Sequence, residues 1–191
     1  QPVYPTGITS EKNQLADNDI GYEEQDTASD QNASPNWWGS ASGPAAGYVV
    51  SNLKYAPWCT NPECTAFYGP VHNVTQDTYF GSIQAAIDDA ATVDGDVITV
   101  EAGTYTGPIT VNKSVSLLGP NALIDPNTGT REPESVLQGT TTSGLSQFVN
   151  IEAENVVIKG FTFDNLRIDN YNSSTQESIN GDVIENNIFT N

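Results

Sequence analysis

Catalysis needs groups that move a proton or hold a charge, and this chain offers few of them in combination. It carries six Lys and Arg (Lys12, Lys54, Lys113, Lys159, Arg131, Arg167), 24 Asp and Glu, and one histidine, His72. The best pairing of a base with carboxylates is Arg167, between Asp164 and Asp169 in DNLRIDN (164–170). A surface ion pair accounts for that grouping more simply than a reactive centre does. Glycoside hydrolysis needs two carboxyl groups flanking a cleft, one with a raised pKa. Asp88 and Asp89 are sequence neighbours that face different ways, so they do not supply it. Calcium draws its oxygen ligands from loops. Two loops gather such oxygens: DNLRIDN, with Asp164 and Asp169, and ADNDIGYEEQD (16–26), with Asp17 and Asp19. Neither matches the EF-hand loop, and calcium is the one cofactor that the sequence leaves open.

Cys59 and Cys64 lie in WCTNPECT, on either side of a turn containing Asn61–Pro62. Zinc needs more ligands than this pair and a lone histidine provide. A local disulfide is expected instead, which implies an oxidising, extracytoplasmic compartment. Four N-x-S/T sequons, at Asn32, Asn73, Asn112 and Asn172, are glycan acceptors on a glycosylating secretory route. Tyr4, Tyr22 and Tyr171 could stack on a sugar, although a loop-anchoring tyrosine looks the same in sequence.

The elements that must position these groups are short. GSIQAAIDDAATV holds the one confident helix, with Ser82 as N-cap and Ile83, Ala86, Ile87 and Ala90 on a single face over 82–92. Alternating β-branched runs predict strands at 96–100, 108–111, 114–119, 135–139, 148–152, 155–163 and 182–189, with a further run at 7–20. Asn-Gly hairpin turns do not join them, so meanders are not favoured. NVVIKGFTFDN (155–165) and GDVIENNIFTN (181–191) superimpose without gaps at an offset of 26 residues, matching Val157 to Val183, Ile158 to Ile184, Phe163 to Phe189 and Asn165 to Asn191. A repeat of that period is a solenoid signature, in which turns stack because none buries its own apolar face. Ile98, Val100, Ile158, Phe163 and Ile184 should face inward. Ile158 and Phe163 are five apart, so a bend at Gly160 must reset the alternation.

The net charge of −18 excludes nucleic acid and anionic membrane surfaces as partners. No apolar run is long enough to insert in a bilayer. There is no methionine, so Gln1 reads as the start of a processed form, or of one unit of something longer.

The residues also resemble a known family. FGSIQAAIDDAATVDGDVITVEAGTYTGPITVNKSVSLLGPN (80–121) looks like the opening of the right-handed parallel β-helix proteins of the pectin-lyase-like superfamily, in their non-catalytic surface-protein branch. There an amphipathic helix caps the first turn, which would give Ile83 and Ile87 a capping role. NWWGSASGP (36–44), with YVVSNLKYAPWC after it, is similar to the closing segment of the same family, where Trp37 and Trp38 would supply bulk. In an extended segment these neighbours point to opposite sides, one toward the core and one under 45–58. The resemblance implies an all-β right-handed parallel β-helix with one short capping α-helix. Family lyases pair calcium-holding Asp clusters with an Arg or Lys base, and this chain lacks such a basic cluster, so no catalysis is expected. Lys113 in VNKSV occurs in inactive members too, where its stem packs.

The order departs from the family. Residues 1–69 read as a closing half and 70–191 as an opening half. If the ends were joined, Ile188 and Ile20 would be 23 residues apart, close to the repeat. Either the N-terminal segment folds back as a permuted monomer, or units join head to tail as a filament or tandem array. The expected function is an extracellular or cell-surface structural or adhesive subunit whose partners are copies of itself. Surface glycans are the alternative ligand, on a carbohydrate-binding module or an inactive lyase-like domain.

Overall fold

Short β-branched and aromatic runs, each ended by Gly, Asn or Asp, give 18 brief strands and a single α-helix among the described residues. The computed structural model describes residues 22–23, 33–45, 49–50, 55–139, 148–172 and 177–190. The strand expected over 7–20 lies outside them. The chain forms two compact units, residues 1–70 with 79–81 and residues 71–78 with 82–191.

In the first unit, β1 (Tyr22–Glu23) pairs in parallel with β2 (Val49–Val50), and β3 (Trp58–Cys59) pairs antiparallel with β4 (Phe67–Tyr68). β5 (Val71–Asn73) opens the second unit, and β6 (Thr78–Phe80) spans the chain boundary between units. Then follow α1 (Ile83–Asp88), β7 (Val97–Val100), β8 (Gly103–Thr106), β9 (Ile109–Val111), β10 (Ser116–Leu118), β11 (Ser135–Gln138) and β12 (Phe148–Ile151). The last strands are β13 (Val157–Lys159), β14 (Phe161–Asp164), β15 (Arg167–Asn172), β16 (Glu177–Ser178), β17 (Val183–Glu185) and β18 (Ile188–Thr190).

The second unit is built on three sheets, ordered β17-β13-β10-β7-β5, β18-β14-β11-β8 and β16-β15-β12-β9. From β7 to β15 the chain visits them in rotation, so each strand pairs in parallel with the third strand after it. The antiparallel pairs in these sheets are β5 with β7 and β15 with β16. Inward positions carry the core: Ile98, Val100, Leu117, Val149, Ile158 and Phe163 are buried, while Thr99, Thr110 and Thr162 between such positions are only half-buried.

The 26-residue alignment is the observed parallel register, with Val157 opposite Val183, Ile158 opposite Ile184 and Phe163 opposite Phe189. Each predicted long strand is cut in two, at Gly160 (φ 80°) and at Asn186 (φ 57°). That left-handed corner resets the alternation, so Phe161 joins Phe163 in the core, which the sequence reading had missed. A side chain at Gly160 would also strike the backbone of Asn121 and Ala122.

The helix is shorter than its apolar face suggested, ending at Asp88 rather than near residue 92. Asp89 leaves the helical region at φ −57°, ψ 136°, and its Oδ1 accepts the Ala91 N–H at 2.8 Å. That local bond competes with another helical turn.

Candidate functional site

The second unit closes one end and leaves the other bare. At the first circuit, α1 packs on β9 and β5, with Ser82 Oγ accepting the Ala85 N–H and Ile83 and Ile87 buried. Gln84 treats β9 as another strand would: its Oε1 accepts the Thr110 N–H at 2.7 Å, and its Nε2 donates to the Thr110 carbonyl at 3.2 Å. Lys113 Nζ donates to the Asp89 carbonyl at 2.8 Å, just beyond the helix.

At the other end, β17 and β18 are the last strands of their sheets. Ile158 is 1% exposed, but Ile184, its partner in the next circuit, is 40% exposed; Phe163 is 0% and Phe189 57% exposed. Ile184 therefore departs from its expected inward burial. The side chains occupy equivalent positions, and the difference is that no circuit covers the last pair. A bare strand edge beside apolar side chains is a template for pairing with another strand.

Polar side chains hold this edge in shape. Asn187 Oδ1 accepts the Phe161 N–H, and its Nδ2 donates to the Ile158 carbonyl, both at 2.9 Å, so one amide bridges the corner of the preceding circuit. Arg131 forms two hydrogen bonds to Glu134, at 2.6 and 2.9 Å, and also donates to the carbonyls of Ile124 and Asn186. Its guanidinium hydrogen bond holds the Glu134 carboxyl below its usual pKa, against the partial burial that raises it. Asp182 precedes β17. Burial pushes its carboxyl up, with Glu154 adding to the effect, while Oδ1 accepts the Val156 N–H at 2.8 Å. Asn187 and Arg131 were missed in sequence because a corner amide and an isolated Arg look like ordinary loop residues.

The sequon at Asn73 is corrected. Its side chain is fully buried, and Nδ2 donates to Thr92 Oγ1 and Asp96 Oδ2, both at 2.9 Å. A glycan on that nitrogen would break both bonds. Asp96 is buried, which by itself raises its pKa; hydrogen bonds from Asn73, the Val93 N–H and Gln76, with the charge of Lys113, bring it below the usual value. Asn112 is exposed. Asn32 and the side chain of Asn172 lie outside the described residues.

The calcium candidates are not brought together. Asp164 ends β14, and its carboxylate accepts hydrogen bonds from Gln138 and Thr190. Asp169 lies on a different sheet, paired with Arg167 at 2.9 Å on the surface. No cluster of three or more Asp, Glu, His or Cys forms among the described residues. Asp17 and Asp19, like Tyr4 and the side chains of Tyr22 and Tyr171, lie outside them. Lys159 pairs with Glu185 on the adjacent strand at 2.6 Å.

In the first unit Cys59 and Cys64 are bonded. The Asn61 side chain fixes the intervening turn, accepting the Thr65 N–H and donating to Thr65 Oγ1. Trp38 is buried edge-on to Tyr55, while Trp37 is half-buried, as neighbours in an extended segment should differ. Trp58 stacks on Tyr55, donates to the Ala41 carbonyl and lies against Gly43, where a Cβ would come within 2.7 Å of the indole. Reducing the disulfide should cost about 2 kcal/mol, since so short a loop gains little entropy on closure. Denaturant titration of the Cys59→Ser/Cys64→Ser variant checks this, and thiol titration of the unreduced protein should find none.

No family model matches the chain, and no solved structure matches it. Over 121 residues, 63% of the chain, it is 33% identical to a protein named cell surface glycoprotein from Methanothermus fervidus. The chain covers 17% of that relative's length. Together with the disulfide, this similarity places the chain among surface proteins, outside the cell or on its surface.

Proposed function

We propose that the chain is a structural unit of a surface glycoprotein assembly, folded as a right-handed parallel β-helix and joined head to tail to further units. The three sheets visited in rotation support the β-helix reading. The observation that carries the assembly reading is the exposure of Ile184 and Phe189 at positions whose partners one circuit earlier are buried. Adding a circuit there removes apolar surface from water at about 25 cal/mol per Å² and pairs the bare strand edges. A head-to-tail contact that does not close into a ring propagates as a filament or array. The reading assigns the chain no catalytic chemistry: Arg167 is engaged by Asp169, and Arg131 by Glu134.

The test is the mass of the 191-residue chain by light scattering across concentration, with electron microscopy of the same samples. Mass that grows with concentration, and stiff fibres that resist denaturant, are expected. A monomer at every concentration, with no fibres, overturns the reading in favour of a permuted monomer.

A further inference from the structure

We propose that residues 13–20 of a second copy of this chain form the next circuit on the bare edge, with Leu15 opposite Ile184 and Ile20 opposite Phe189. The proposal rests on the head-to-tail reading and adds its occupant and register.

Each circuit of the repeat places two inward side chains five residues apart around a left-handed corner: Ile158 and Phe163 around Gly160, then Ile184 and Phe189 around Asn186. NQLADNDI (13–20) has the same spacing, with Leu15 and Ile20 as the apolar pair. Asp17 falls at the corner, opposite Asn186, and Asn and Asp are the non-glycine residues most at home in the left-handed region. Asn18 falls opposite Asn187. By the geometry of Asn187 on Phe161 and Ile158, Asn18 would accept the Asn187 N–H and donate to the Ile184 carbonyl.

Asn13 falls opposite Asp182, a position with a second, independent feature. Asp182 Oδ1 accepts the Val156 N–H, whereas Oδ2 is buried without a hydrogen-bond partner of normal geometry among the described residues. A buried carboxylate oxygen left unpaired is costly. An Asn in this register brings an N–H donor to it, and its own Oδ1 can accept the Asp182 N–H as Asp182 does for Val156. Ala16 falls opposite Glu185, so the Lys159–Glu185 pair on the outer face meets no new charge. This register sets Ile20 against Phe189, whereas a join based on chain length alone sets it against Ile188.

Paired parallel strands lie about 4.8 Å apart, within reach of a disulfide between opposed cysteines. The test is the Ala16→Cys/Glu185→Cys variant of the full chain, oxidised under assembly conditions, beside an Ala16→Cys/Asn180→Cys variant out of register. A ladder of covalent oligomers from the first and none from the second is the expected result. A ladder from the second, or none from either while light scattering still shows assembly, overturns the register and leaves head-to-tail assembly standing. A crosslink within single chains overturns both, because the segment then covers its own edge. In a second variant, Leu15→Asp should abolish assembly while leaving the monomer's melting temperature unchanged. Assembly within twofold of the native chain's would overturn the proposal.

Discussion

Phe163→Ala should cost about 3–5 kcal/mol of folding stability, from lost transfer energy and the cavity left behind. Phe163 is 0% exposed, packed against Phe161 and stacked on Phe189 with ring centres 4.8 Å apart. Phe189→Ala removes the same side chain from the equivalent position one circuit later. At 57% exposure it gives up chiefly the ring–ring contact, worth about 1 kcal/mol. Urea denaturation of dilute protein compares the two. A loss below about 1 kcal/mol for Phe163→Ala would mean that the inward assignment is wrong. In assembled material the ranking should narrow, because Phe189 becomes a core residue once another circuit covers it.

Asn73→Ala should cost about 3 kcal/mol, since it removes two hydrogen bonds and strips one of the donors from a buried carboxylate. The Asp96 carboxylate takes hydrogen bonds from Asn73, Gln76 and the Val93 N–H, at 2.9 to 3.1 Å. Its pKa is lower folded than unfolded. Its contribution is therefore complete above the unfolded value, about 3.9, and is lost as pH falls through the folded value. Glu134 acts in the same sense, whereas the raised pKa of Asp182 acts in the opposite one. In Asn73→Ala the desolvation of Asp96 is less compensated and its folded pKa rises. Stability of that variant should fall less steeply on acidification, as measured by denaturant titration between about pH 5 and pH 3. An unchanged slope would place the acid sensitivity on other carboxylates. The burial of Asn73 also means that a peptide map of the folded, secreted protein should find it unmodified.

Sequence carried the register of the last two circuits but not that of the earlier ones. The interval between parallel partners is 26 residues from Val157 to Val183, but 19 from Val97 to Ser116 and 41 from Ser116 to Val157. Corner loops of unequal length, such as the one running through Asn121 and Arg131, hide the repeat. The corner at Gly160 was legible because Ile158 and Phe163 could not both point inward along one strand. Phe161 was not, because its burial depends on where alternation restarts after the corner. The polar strands β8 and β15 carry no apolar alternation and follow from their neighbours' pairing alone. Of the candidate site, the unfinished end was visible from the out-of-order motifs, and the disulfide from its turn. Sequons, by contrast, carry no information on burial, so Asn73 and Asn112 looked alike. Asp164 and Asp169 looked like one oxygen-rich loop because sequence proximity hides a change of sheet between them.

The central claim is that β17 and β18 present an edge filled by another copy. Hydrogen exchange of the backbone amides over 181–190 of the native chain, followed as a function of protein concentration, tests it most directly. The account predicts little protection beyond the existing pairing to β13 and β14 in dilute protein. Protection should rise by at least tenfold as assembly proceeds, in step with the mass measured by scattering. Exchange that is independent of concentration, whether fast throughout or already protected in isolated chains, would contradict it.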